Sequence, residues 1–159
     1  MNKFKGLGVA LVTPFQESGA VDMAGLQRLV EHNINNGTDY LVVQGTTGES
    51  ATLTKEEKKA VLDFVIEINA GRKPSVLVVG GNNTSEVINS LKSLDFKGVD
   101  GILSVSPYYI KPSQEGIYQH FKAISAATDL PIIMYNVPGR TMSNVTAETT
   151  VRIARECKN

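Results

Sequence analysis

Two threonines between two glycines, Gly45-Thr46-Thr47-Gly48, form the stretch of this sequence best suited to chemistry. Glycines let a backbone turn sharply and approach a ligand closely, and hydroxyls and N–H groups converging on one point suit a small carboxylate. The same four residues also read as a tight turn with incidental hydroxyls. No Gly-Lys-Ser/Thr follows, so the loop is not a Walker-type phosphate cradle. Three of the five tyrosines, Tyr108, Tyr109 and Tyr135, fall where apolar runs end. A phenol both donates and accepts, and chained to a threonine hydroxyl it can pass a proton. One such tyrosine is most simply a packing ring; three beside a threonine pair point towards function. Arg140 follows in a Pro-Gly turn, placed to clamp a carboxylate through two parallel bonds or to lie at the surface.

Other groups give little. His32 and His120 fall on expected helices and read as surface or packing residues. No His/Cys/Asp/Glu cluster has metal-ligand spacing, and Gly80-Gly81 does not continue into a dinucleotide fingerprint. No metal and no cofactor are expected.

The elements that position these residues are legible as alternation. Short apolar, β-branched runs at 7–12, 40–43, 75–79, 101–105 and 131–135 are continuous, as expected of parallel strands buried on both faces. Between them lie amphipathic stretches with readable caps: Asp22, the Thr54/Glu57 capping box, Asn83 with Glu86, Ser113 and Thr146. Five strand–helix units make an α/β protein with a parallel sheet. Periodicity alone favours an open flavodoxin-like sheet, because a complete (β/α)8 barrel takes about 250 residues. In either architecture, active sites gather where strands end, which is where Thr46, Thr47, Tyr108, Tyr109, Tyr135 and Arg140 stand.

Composition narrows the setting. The 159 residues suit one compact domain, and 42% apolar residues suffice for a core. Sixteen basic residues balance sixteen acidic ones, so neither nucleic acid nor an anionic membrane is an expected partner. A single cysteine, Cys157, excludes an intrachain disulfide and fits a reducing compartment, and no signal-like segment opens the chain. A cytoplasmic protein is expected.

Three separated motifs carry a resemblance to a known family: Gly45-Thr46-Thr47-Gly48-Glu49-Ser50-Ala51-Thr52-Leu53, Pro107-Tyr108-Tyr109 with Lys111-Pro112-Ser113-Gln114-Glu115-Gly116, and Tyr135-Asn136-Val137-Pro138-Gly139-Arg140-Thr141. Together they resemble the dihydrodipicolinate synthases, within a superfamily that includes N-acetylneuraminate lyase and keto-deoxy sugar-acid aldolases. The paired tyrosines and the Pro-Ser-Gln-Glu-Gly stretch look more like the synthases. The resemblance implies a TIM (β/α)8 barrel, here about five βα units forming the N-terminal portion of one domain over 1–159, and a homotetramer of tight dimers. It implies a Schiff-base condensation of pyruvate with aspartate semialdehyde in lysine and diaminopimelate biosynthesis. Thr46, Tyr135 and Tyr109 match a proton relay, with Tyr109 lent by a neighbouring subunit. Thr47 matches the pyruvate-carboxylate binder, and Arg140 the arginine at the site entrance. Ser50, Ala51, Asn82, Glu86 and Tyr108 match a lysine-feedback site. Lys55 and Lys58 stand where some lysine-sensitive members carry histidine, so weak inhibition by cationic lysine is expected.

The family's Schiff-base lysine belongs to a sixth strand. None of the eleven lysines here falls at the end of an expected strand; Lys111 comes nearest, in a loop beyond the tyrosines. The catalytic lysine is therefore expected to be missing from this chain, and the first and fifth strands to present open edges.

Overall fold

A computed structural model describes residues 2–159. The chain divides into two compact units: one runs to Val78 and includes Lys97–Asp100, and the other comprises Val79–Phe96 and Gly101–Asn159.

In the first unit, β1 (Gly8–Ala10), β2 (Tyr40–Val43) and β3 (Ser75–Val78) are parallel, with β2 in the middle. The register sets Leu41 between Val9 and Ser75. A flavodoxin-like sheet would place its first strand between the second and third, so this order excludes that alternative. Leu41, Val43, Val76 and Leu77 are almost wholly buried, as the continuous apolar runs require. Helices α1 (Met23–Asn35) and α2 (Lys55–Asn69) cover them and pack against each other, burying Leu26, Val30, Val61, Leu62 and Val65. Asp22 accepts from the Gly25 N–H at the start of α1. Thr54 and Glu57 exchange reciprocal bonds at the start of α2, satisfying two otherwise orphaned N–H groups.

The first strand departs from expectation. It spans three residues rather than six, and Leu7 and Val12 are exposed. Gly8 faces Tyr40 in register, and a Cβ there would fall 2.0 Å from the Tyr40 ring, so the tyrosine fills the volume a side chain would take.

In the second unit, β4 (Gly101–Val105) pairs in parallel with β5 (Ile132–Tyr135), and the Val79 N–H donates to the Leu103 carbonyl. Helices α3 (Thr84–Ser93), α4 (Gln114–Ser125), α5 (Pro138–Thr141) and α6 (Ala147–Glu156) complete it. α4 packs against α3 and α6. Ile117, Tyr118, Phe121, Val145 and Ile153 form a buried cluster, with Met134 of β5 against it. Asn83, Ser113 and Thr146 cap α3, α4 and α6 as their spacing predicts. β5 is only half buried, contrary to the expectation of burial on both faces. α5 was not expected; Pro138 at its first turn is the sequence signal for it.

Among the described residues, no helix is long and apolar enough to cross a membrane, and no group of three His, Cys, Asp or Glu side chains could hold a metal ion.

Candidate active site

In the first unit, the chain leaves β2 through Gln44, whose φ of 63° is left-handed, then turns through the single 3-10 turn Thr46–Gly48. Glu49, with φ 50°, is left-handed again and leads into a second such turn, Ser50–Thr52. The Gly48 N–H donates to the Gly45 carbonyl at 3.0 Å, so Thr46 and Thr47 are the two residues this bond spans. Both threonines are exposed, and Gly45 and Gly48 are buried. A Cβ on Gly48 would stand 3.0 Å from the Leu11 carbonyl oxygen, which explains the glycine there. The Thr13 hydroxyl, buried, donates to the Gly48 carbonyl at 2.7 Å. This bond spans 35 positions and leaves no local signal in the sequence.

In the second unit, two strand ends are tied together. The Ser106 N–H donates to the Tyr135 carbonyl at 3.0 Å, and the Ser106 and Ser143 hydroxyls are 2.9 Å apart. The Tyr109 N–H donates to the Thr141 carbonyl at 2.9 Å. Tyr109 has a left-handed φ of 72° and is 84% exposed, so its ring projects from the unit. Tyr135, the last residue of β5, is half buried. Arg140 is exposed on α5, immediately after that strand. Asn136 fixes the segment that follows: its amide oxygen accepts from the Val145 N–H and its amide nitrogen donates to Asn144.

A cavity of about 260 Å³ opens beside this rim, lined among others by Gly80, Gly81, Asn82, Glu86, Ser90 and Tyr108. The Asn82 amide donates to the Tyr108 carbonyl at 3.2 Å across it. Three of the five residues matched to a feedback site, Asn82, Glu86 and Tyr108, thus line one cavity; Ser50 and Ala51 stand on the second 3-10 turn of the first unit.

The histidines divide. His32 is exposed, whereas His120 is buried, 3% exposed, with its Nδ1 2.8 Å from the Thr84 hydroxyl and its Nε2 without a partner. Burial pushes the imidazole down to about 4, so it is neutral near pH 7. The described lysines lie in helices, in loops or before a strand: Lys55, Lys58 and Lys59 are on α2, Lys73 precedes β3, and Lys111 is exposed in the loop after Tyr109.

Over residues 3–159 the sequence matches the model of the dihydrodipicolinate synthetase family. The chain belongs to this family. The 4-hydroxy-tetrahydrodipicolinate synthase of Parabacteroides distasonis is 61% identical over 155 residues, covering 98% of this chain and 52% of the relative. The dihydrodipicolinate synthase structure from Thermotoga maritima superposes with a TM-score of 0.94 at 45% identity, over 98% of this chain and 52% of that one. The chloride-inhibited Acinetobacter baumannii dihydrodipicolinate synthase, complexed with pyruvate, gives 0.92 at 45% identity, over 97% and 53%. The chain thus spans about half the length of the dihydrodipicolinate synthases it matches.

Proposed function

We propose that this chain supplies the N-terminal half of a dihydrodipicolinate synthase barrel that condenses pyruvate with aspartate semialdehyde. The observation that carries this reading is the exposed Thr46-Thr47 pair, held between buried glycines at the end of β2, in a chain of this family. In this reading Thr47 binds the pyruvate carboxylate with its hydroxyl and N–H. Short donors on a pinned turn do so without losing freedom on binding. Thr46, Tyr135 and Tyr109 form a hydroxyl relay, and Arg140 meets the carboxylate of the second substrate.

The chemistry fits these groups. Condensation joins the nucleophilic methyl carbon of the pyruvate enamine to the aldehyde carbon, and the new alkoxide needs a proton, which a phenol fed through a second hydroxyl can deliver. The Schiff base needs an unprotonated amine. No described lysine stands at the end of a strand, so in this reading that amine is not among them. Tyr109 suits a second copy of the chain: its ring is 84% exposed, and Ile110 and Met142 are exposed with it. The cavity beside Asn82, Glu86 and Tyr108 suits an amino-acid effector such as lysine.

A chimera joining this chain to the C-terminal half of the P. distasonis relative tests the reading. Condensation with aspartate semialdehyde is expected, strongly reduced by Thr46→Val and by Tyr135→Phe. Preference for sugar aldehydes would instead make the protein a sugar-acid aldolase, and indifference to both substitutions would refute the relay.

A further inference from the structure

The loop carrying Thr46 and Thr47 begins and turns on two residues, Gln44 and Glu49, in a left-handed conformation that non-glycine residues hold only when their surroundings impose it. Two contacts from outside the loop are placed to impose it. At its start, the Gln44 side-chain amide donates to the Lys58 carbonyl of α2. At its turn, the Thr13 hydroxyl donates to the Gly48 carbonyl. The bond from the Thr52 hydroxyl to the Glu49 carbonyl lies within the loop and moves with it.

Thr13 controls the part that matters for ligand. Gly48 is held at both ends: its N–H by the Gly45 carbonyl, its carbonyl by Thr13. Thr46 and Thr47 lie between Gly45 and Gly48, the two residues that the first of these bonds joins. Gly48 also lies close against the Leu11 carbonyl, with no room for a Cβ to soften the contact. With Thr13 and Gly48 both buried, a Gly48 carbonyl deprived of that hydroxyl has to swing out to find a donor.

We propose that Thr13 is a positioning residue for carboxylate binding. Its hydroxyl, acting through the Gly48 carbonyl, sets where the hydroxyls and N–H groups of Thr46 and Thr47 stand. This inference rests on the reading of Thr47 as the carboxylate binder, and it adds a residue that touches no substrate. Thr13→Val keeps the volume and removes the donor; Thr13→Ser keeps the donor.

The test follows backbone amides of this chain, joined to the C-terminal half of the P. distasonis relative, by NMR, with hydrogen exchange and a pyruvate titration on each variant. Thr13→Val is expected to speed exchange at Gly48 and Glu49 roughly tenfold, the effect of one ordinary hydrogen bond. It is expected to raise the pyruvate concentration that half-shifts the Thr47 amide by about the same factor. Exchange at Val30 stays unchanged, and Thr13→Ser restores both readouts. Should Thr13→Val not fold, Thr13→Cys, a weaker donor of similar size, carries the comparison. Unchanged exchange and midpoint, faster exchange with an unchanged midpoint, or a serine that does not rescue would each overturn the proposal. A wild-type Thr47 amide indifferent to pyruvate would refute the carboxylate reading itself, and the exchange comparison would still decide whether Thr13 sets the turn.

Discussion

Lowering the pH should loosen this protein through His120 before it does so through carboxylates. The imidazole is buried between α3 and α4, bonded to Thr84 on one side and edge-on to Phe121, and burial pushes it down to about 4 from an ordinary 6.5. Between those values the unfolded chain takes up the proton and the folded chain does not, so acid favours unfolding. The stability is fully present above about pH 6.5 and is lost progressively as pH falls towards about 4. The two pKa values convert to about 3 kcal/mol at full effect, of which about 2 kcal/mol disappears between about pH 7 and pH 5. Glu31, Glu115, Glu148 and Glu156 are held below their ordinary value by hydrogen-bonding partners, so their contributions fade below about pH 4.5, largely under the histidine window. Urea unfolding of wild type and His120→Gln at several pH values separates these effects. The wild type should lose about 2 kcal/mol more than the variant between about pH 7 and pH 5. Parallel loss in the two proteins would refute the assignment.

Leu41 is fully buried at the middle of the first unit's ladder, so Leu41→Ala should cost about 3 kcal/mol in urea titration; a loss under about 1 kcal/mol would mean that the site collapses around the cavity. Thr54→Ala removes the capping box of α2 and should cost about 1 kcal/mol by the same assay. Pyruvate with borohydride should leave the intact mass of the chain unchanged; an adduct on any of its lysines would contradict the placement of the Schiff-base amine elsewhere. Lysine titrated into the chimera should inhibit only weakly, whereas strong inhibition would show that Lys55 and Lys58 do not repel it.

The sequence disclosed what depends on local pattern. β2 and β4 lie where their apolar runs do, and every capping residue named from spacing caps its helix, because caps and periodicity are short-range. The motif residues could be matched to a family and placed at or just after the strand ends, but their backbone conformations could not be read. Nothing in a tyrosine, glutamine or glutamate signals a left-handed φ, yet Tyr109, Gln44 and Glu49 adopt one. Thr13 escaped for a related reason: its partner lies 35 residues away, and a hydroxyl after a strand looks the same whether or not a carbonyl awaits it. His120 read as a surface or packing residue and the structure makes it the latter, but its bond to Thr84 joins two helices whose packing no single-helix pattern reveals.

Tyr109 occupies a backbone conformation in which glycine would be more comfortable by about 1 kcal/mol. Its ring repays little of that within the chain, being 84% exposed. Selection for heat resistance alone would therefore be expected to erode this tyrosine, whereas under the relay proposed for Tyr109, libraries of the chimera screened for turnover would be expected to keep it. Position 109 thus offers a place to watch durability and activity pull a single residue in opposite directions.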